Sequence, residues 1–135
     1  MKKLIVALFV MIALAAAVQA QAQAAKPALI GPKAARDLLA GNKDAILIDV
    51  RTLEEFVAGR IAGSVLLPYD QITAASAAAT IGPNKERTVI VYCRTGRRSE
   101  IAAATLAALG YRKVLDLGGI GSWPYGTISG QPKKP

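Results

Sequence analysis

Short apolar runs alternate along this chain with segments of helical spacing. Ala45 to Val50 (AILIDV) is an apolar run with a charge at its end, the pattern of a strand buried on both faces. Ser64 to Leu67 reads as a second such strand, stopped by Pro68. Thr88 to Tyr92 (TVIVY) is the strongest strand, rich in β-branched residues, and Val114 to Leu117 is the last. Ala28 to Ile30 has room for a short one. Between them lie helices. Pro32 opens one that runs to Ala40, with Gly41 just past its end. Thr52 and Glu55 have the spacing of a capping box for a short helix closed by Gly59. Gln71 to Ile81 is an alanine-rich helix ended by Gly82-Pro83, and Asn84 to Arg87 is a charged turn. Ser99 to Leu109 is a helix with Ala102, Leu106 and Leu109 on one face and Gly110 at its end. Strands alternating with helices in this way predict an α/β domain: a parallel central sheet of about five strands with helices on both faces. Such sheets bind ligands beyond the carboxyl ends of their strands, a rule that points to the segment after Tyr92.

The N-terminus has a different pattern. Lys2 and Lys3 precede 15 uninterrupted apolar residues, Leu4 to Val18, and small residues then recur at alternating positions. Residues 1–20 are therefore expected to be a secretory signal peptide, cleaved after Ala20, Ala22 or Ala24. The run falls short of the roughly 20 residues that span a bilayer, so no membrane anchor is expected after cleavage. No cysteine lies near the cleavage site to carry a lipid. The expected destination is the periplasm of a bacterium. Residues 21–27 read as a flexible lead-in, 28–132 as a single domain and 133–135 as a basic tail.

Composition narrows the chemistry. In 135 residues there is one cysteine and no histidine, so imidazole-based triads and metal sites, CxxC motifs and an internal disulfide are all excluded. The net charge is +8, of which two charges belong to the leader. The remaining basic residues are scattered apart from one loop, with no aromatic platform or recognition motif, so nucleic acid is not an expected partner.

That loop is Cys93-Arg94-Thr95-Gly96-Arg97-Arg98, leading into Ser99 and a helix. A tight turn from strand to helix directs successive N–H groups inward, where they join the free N–H groups of the helix N-terminus. Gly96 permits backbone angles that other residues resist. The cradle suits an anion. Three arginines and a helix start are expected to lower the Cys93 pKa and make it a nucleophile near neutral pH. A tyrosine-phosphatase loop needs an arginine six positions after its cysteine; position 99 is serine, and Arg98 comes one residue early. The smaller loop favours sulfur over a phosphoryl group, with phosphatase or arsenate reductase chemistry a minor alternative.

Four motifs in order carry a resemblance: Ile48-Asp49-Val50-Arg51 with Glu55-Phe56; Gly59-x-Ile61-x-Gly63-Ser64; Cys93-Arg-Thr-Gly96-x-Arg98-Ser99; and Gly118-Gly119-Ile120 with Trp123. Over residues 28–132 the chain resembles the rhodanese family, in particular its small, single-domain, exported members. The resemblance implies a thiosulfate sulfurtransferase using no metal or organic cofactor. Cys93 would take the outer sulfur of thiosulfate as a persulfide and pass it to cyanide, a thiol or a dithiol. Loop residues Arg94, Thr95, Gly96, Arg97, Arg98 and Ser99 would bind the substrate. By the family pattern Arg98 orients loop and substrate; charge alone adds Arg94 and Arg97 as attractors of a dianion. A non-enzymatic persulfide relay serving a partner protein is the alternative. The protein is expected to be a monomer, although an exposed thiol in an oxidising compartment would also permit an inactive disulfide-linked dimer.

Four further expectations concern positions outside the loop. Arg51 and Glu55 are spaced to pair on one helical turn, and Asp49 simply ends its strand. Gly118-Gly119 belongs to no nucleotide fingerprint. Arg60 stands where the family usually has histidine, with consequences for local packing or for positive potential near the mouth. Trp123 and Tyr125 are expected to cover the core rather than form a substrate platform.

Overall fold

A computed structural model describes residues 26–132. The expected signal peptide, most of the lead-in and the basic tail lie outside the described residues. The elements are β1 (Ala28–Leu29), α1 (Pro32–Gly41), β2 (Ile46–Asp49), α2 (Leu53–Ala58), β3 (Val65–Leu66), α3 (Ala74–Thr80), β4 (Thr88–Cys93), α4 (Arg97–Ala108) and β5 (Lys113–Gly119). Short 3-10 turns cover Tyr69–Gln71 and Ile120–Ser122. All five strands pair in parallel, in the order β1-β5-β4-β2-β3. Among the described residues, no helix is long and apolar enough to cross a membrane.

Two cores flank the sheet, and strand alternation assigns residues to them. Ile46, Ile48, Val89, Val91 and Cys93 face α3 and α4, where Ala77, Ala102, Ala103 and Leu106 are buried. Leu47, Ile90 and Tyr92 face α1, through Ala35, and are covered further on by Ile61 and Leu117. This two-sided burial explains the continuous apolar runs of β2 and β4, which lie inside the sheet. The buried faces of α3 and α4 are built largely from alanine, at Ala77, Ala102 and Ala103.

The elements depart from the sequence pattern at four places. Ser64 to Leu67 reduces to the two residues of β3, an edge strand with Val65 42% exposed rather than a buried strand. The helix expected from Gln71 begins at Ala74, because the Thr73 hydroxyl accepts from the Ser76 N–H and caps it there. The helix expected from Ser99 begins two residues earlier, at Arg97, which leaves the cysteine loop only three residues between strand and helix. Strand β5 continues through Gly119, two residues past its expected end.

The Thr52–Glu55 capping box is present, with Glu55 N–H donating to Thr52 Oγ1 at 3.3 Å. Trp123 packs against the α1-side core. Tyr125 does not cover the core: it is 41% exposed, edge-on to Trp123, with the Arg36 guanidinium 4.4 Å from its ring centre. Arg60 acts in packing. It is 8% exposed, donates to the carbonyls of Phe56 (3.2 Å) and Gly130 (2.7 Å), and lies 4.5 Å from the Phe56 ring centre. Its backbone pairs with Ile128, so it fastens the C-terminal segment to α2.

Candidate active site

Cys93 is the last residue of the central strand, flanked by β2 and β5. The chain then turns through Arg94, Thr95 and Gly96 into α4. Gly96 has φ +102°, a left-handed conformation that strains any residue with a Cβ. That turn aims the Gly96 N–H back at the cysteine, 3.0 Å from Sγ. Ser99, in the first turn of α4, is fully buried, and its hydroxyl donates to the Gly96 carbonyl at 3.0 Å. The same hydroxyl also favours the anionic form of Cys93.

Burial pushes the Cys93 thiol up, but the Ser99 hydroxyl and the N–H groups of Ser99, Gly96 and Thr95 more than offset it. The net pKa is lowered. The thiolate is therefore stabilised first by hydrogen-bond donors, the start of α4 among them as the sequence pattern expects, with the charge of Arg98 also acting on it. Burial also corrects the picture of an exposed thiol: Cys93 is 0% exposed.

The three arginines divide into two kinds. Arg98 donates both terminal nitrogens to the Glu55 carboxylate, at 2.7 and 2.9 Å, joining α4 to α2 across the mouth. This fork-to-fork pair fixes its guanidinium plane. Arg98 holds the Glu55 carboxyl down at about 2. Arg94 and Arg97 are exposed and form no ion pair with a described residue. Together with Thr95, Tyr69 and the Glu55–Arg98 pair they line an open cavity of about 620 Å³ above the loop. A more apolar recess of about 490 Å³, lined by Leu38, Ala107, Tyr111 and Val114, lies at the opposite end of the strands, away from the nucleophile.

The loop residues Cys93 to Ser99 named by the sequence pattern thus come together. Arg51 and Glu55, expected to pair with each other, do not. Arg51 turns back to Asp49, at 2.6 Å from Nη2 to Oδ2, and donates to the Gly59 carbonyl at 2.6 Å. Asp49 is not merely a strand end but half of a buried ion pair. Two contributors are missing from the expected site. Sequence spacing presents Glu55 only as a cap or as a partner of Arg51, and Tyr69 carries no signal beyond its place after Pro68. The Gly59-x-Ile61-x-Gly63-Ser64 motif supports the site from below: the Tyr92 hydroxyl accepts from Ile61 N–H at 3.1 Å and bonds Ser64 Oγ at 3.0 Å. Burial pushes this phenol up to about 12, so it stays neutral.

Comparison with known proteins agrees with this architecture. Residues 31–124 match the family model described as a rhodanese-like domain. A probable adenylyltransferase/sulfurtransferase of Mycobacterium tuberculosis is 37% identical over 103 residues, a match covering 76% of this chain but 26% of that protein. A sulfurtransferase of Allochromatium vinosum is 40% identical over 86 residues, covering 63% of this chain and 77% of that one. A thiosulfate sulfurtransferase of Escherichia coli is 36% identical over 73 residues, covering 54% and 68%. Among solved structures, an E. coli rhodanese with anions is 31% identical, with a TM-score of 0.57 over 64% of this chain and 99% of that one. With a single five-stranded parallel α/β domain and a family match over most of its length, the chain belongs to the rhodanese family of sulfur-transfer domains.

Proposed function

We propose that this protein is a thiosulfate sulfurtransferase working through a persulfide on Cys93. The observation that carries the proposal is the cradle itself: a cysteine at the carboxyl end of the central strand, its sulfur 3.0 Å from the Gly96 N–H and its pKa lowered by that group and its neighbours. Cys93 thiolate attacks the outer sulfur of thiosulfate; the bond from that sulfur to the sulfonate sulfur breaks, and its electron pair leaves with sulfite. The terminal sulfur of the persulfide carries the negative charge. Cyanide or a thiolate then attacks that terminal sulfur, the S–S bond breaks, and the electron pair returns to Cys93. No external oxidant is consumed and the charge balances at both steps.

The protein groups supply electrostatics and placement. Backbone N–H groups fixed in advance stabilise anionic sulfur without reorganising during the reaction. Arg94 and Arg97 attract the dianionic donor, and Arg98, locked by Glu55, borders its approach. The similarity to a thiosulfate sulfurtransferase of E. coli supports the choice of donor. The basic, apolar, small-residue sequence of residues 1–24 supports export to the periplasm.

Steady-state kinetics test the mechanism. With thiosulfate and cyanide varied together, double-reciprocal plots for thiocyanate formation should be parallel, as a two-step covalent mechanism requires. Intersecting lines would show that both substrates bind before sulfur moves and would exclude the persulfide route. A persulfide that forms without turnover would instead identify the protein as a relay.

A further inference from the structure

The end of β5 is the floor on which the cysteine loop rests. Strands β4 and β5 run in register from Thr88↔Lys113 to Val91↔Asp116 and then slip, so that Tyr92 pairs with Gly118 and Cys93 with Gly119. Leu117 is the extra residue of this bulge. Asp116, at the slip, is 5% exposed and forms no ion pair with a described residue. Its Oδ1 accepts from the Gly118 N–H at 2.8 Å, which holds Gly118 at φ +80°. The proposed sulfur chemistry makes no use of this buried carboxylate.

Gly119 has the opposite requirement. Its φ of −86° and ψ of 139° are ordinary extended angles open to any residue. Contact, not conformation, demands glycine there: a Cβ would lie 2.7 Å from the Arg94 carbonyl oxygen and 3.3 Å from Thr95 Cα. Those atoms are main chain, between Cys93 and the Gly96 donor, so they cannot give way without moving the loop. Gly96 in turn sits over Gly118, whose Cα would be 3.7 Å from a Cβ added at Gly96.

We propose that Asp116 and Gly119 are positioning residues for the nucleophile. The bulge fixed by Asp116 brings two side-chain-free positions under the loop, and their closeness sets its height above Cys93 and the aim of the Thr95, Gly96 and Ser99 N–H groups. This inference rests on Cys93 being the reactive sulfur, and is independent of the donor and acceptor it serves.

The test reads the thiol directly. The rate of Cys93 alkylation by iodoacetamide is followed against pH in the wild type, Gly119→Ala, Asp116→Ala and Asp116→Asn, with melting curves recorded in parallel. In Gly119→Ala and Asp116→Ala the inflection should rise by about one pH unit, the equivalent of one weakened hydrogen bond to the thiolate. Sulfur transfer from thiosulfate should fall about 100-fold with the displaced geometry. Asp116→Asn keeps an acceptor oxygen and should restore the wild-type inflection. A wild-type profile in Gly119→Ala overturns the assignment of Gly119, whatever its melting temperature. A wild-type profile in Asp116→Ala, or failure of Asp116→Asn to restore it, overturns that of Asp116. If Gly119→Ala does not fold, the two Asp116 variants carry the test. Shifted alkylation in these variants alongside a wild type unable to take sulfur would contradict the proposed function and leave this inference standing.

Discussion

Two arginine–carboxylate pairs lie near the same end of the sheet, and they serve different ends. Arg51 and Asp49 are two residues apart in sequence and lie under the surface, their side chains 6% and 0% exposed. Arg98 and Glu55 are 43 residues apart and lie at the mouth, 22% and 27% exposed. Both are forked, with short N–H···O contacts. The buried pair carries a desolvation cost that its own hydrogen bonds and the Gly59 carbonyl must offset, so removing one partner strands a charge in the interior. The mouth pair is partly hydrated and contributes little to folding. Its effect is geometric: it fixes a guanidinium beside the reactive loop. The same chemical pairing is a stability element in one setting and an orienting element in the other.

The difference breaks most visibly at the buried pair. Asp49→Ala should destabilise the fold by about 3–5 kcal/mol, read as a lower denaturant midpoint at unchanged slope. A loss within the range of an exposed pair would mean that burial does not separate the two. At the mouth, Glu55→Gln should lower kcat/KM for sulfur transfer about tenfold while stability changes by no more than about 1 kcal/mol. An equal loss of stability and activity there would merge the two pairs into one class.

Arg94→Ala combined with Arg97→Ala should raise KM for thiosulfate several-fold at low salt and leave Tm unchanged. The effect should fade as ionic strength rises, because exposed cations act through a screened field. Acid provides the smallest and most specific effect. Glu55 has its folded pKa depressed to about 2 by Arg98, so the pair's contribution is fully present above about 4.5, the ordinary carboxyl value, and is lost as pH falls toward 2. Between pH 7 and 5, melting temperatures of the wild type and Glu55→Gln should therefore run parallel, and they should converge only below about 4.

These pairs also show what a sequence makes legible. Local contacts are readable because spacing encodes them: the Thr52–Glu55 capping box, the continuous apolar runs of β2 and β4, and the turn after Cys93 all act within a few residues. Contacts between distant segments are not. Helical spacing offers Arg51 as the partner of Glu55, but strand β2 turns Arg51 back toward Asp49, and the packing of α4 against the sheet delivers Arg98 to Glu55 from 43 residues away. The glycine pair 118–119 gives no sign of its role, because the contact that excludes a Cβ at Gly119, 2.7 Å from the Arg94 carbonyl oxygen, depends on the end of β5 meeting a distant loop. Val65 reads as buried by composition, yet β3 has a neighbour on one side only. The cysteine itself is legible by position, as is the helix start beside it, while the particular donors that lower its pKa, from Ser99, Gly96 and Thr95, require the geometry.

The most direct test of the central claim is the intact mass of the protein after incubation with thiosulfate and removal of excess donor. The account predicts a gain of one sulfur atom in the wild type, located on Cys93, discharged by cyanide with formation of thiocyanate, and absent from a folded Cys93→Ser variant. An unchanged mass in the wild type, or the same gain in Cys93→Ser, would contradict it.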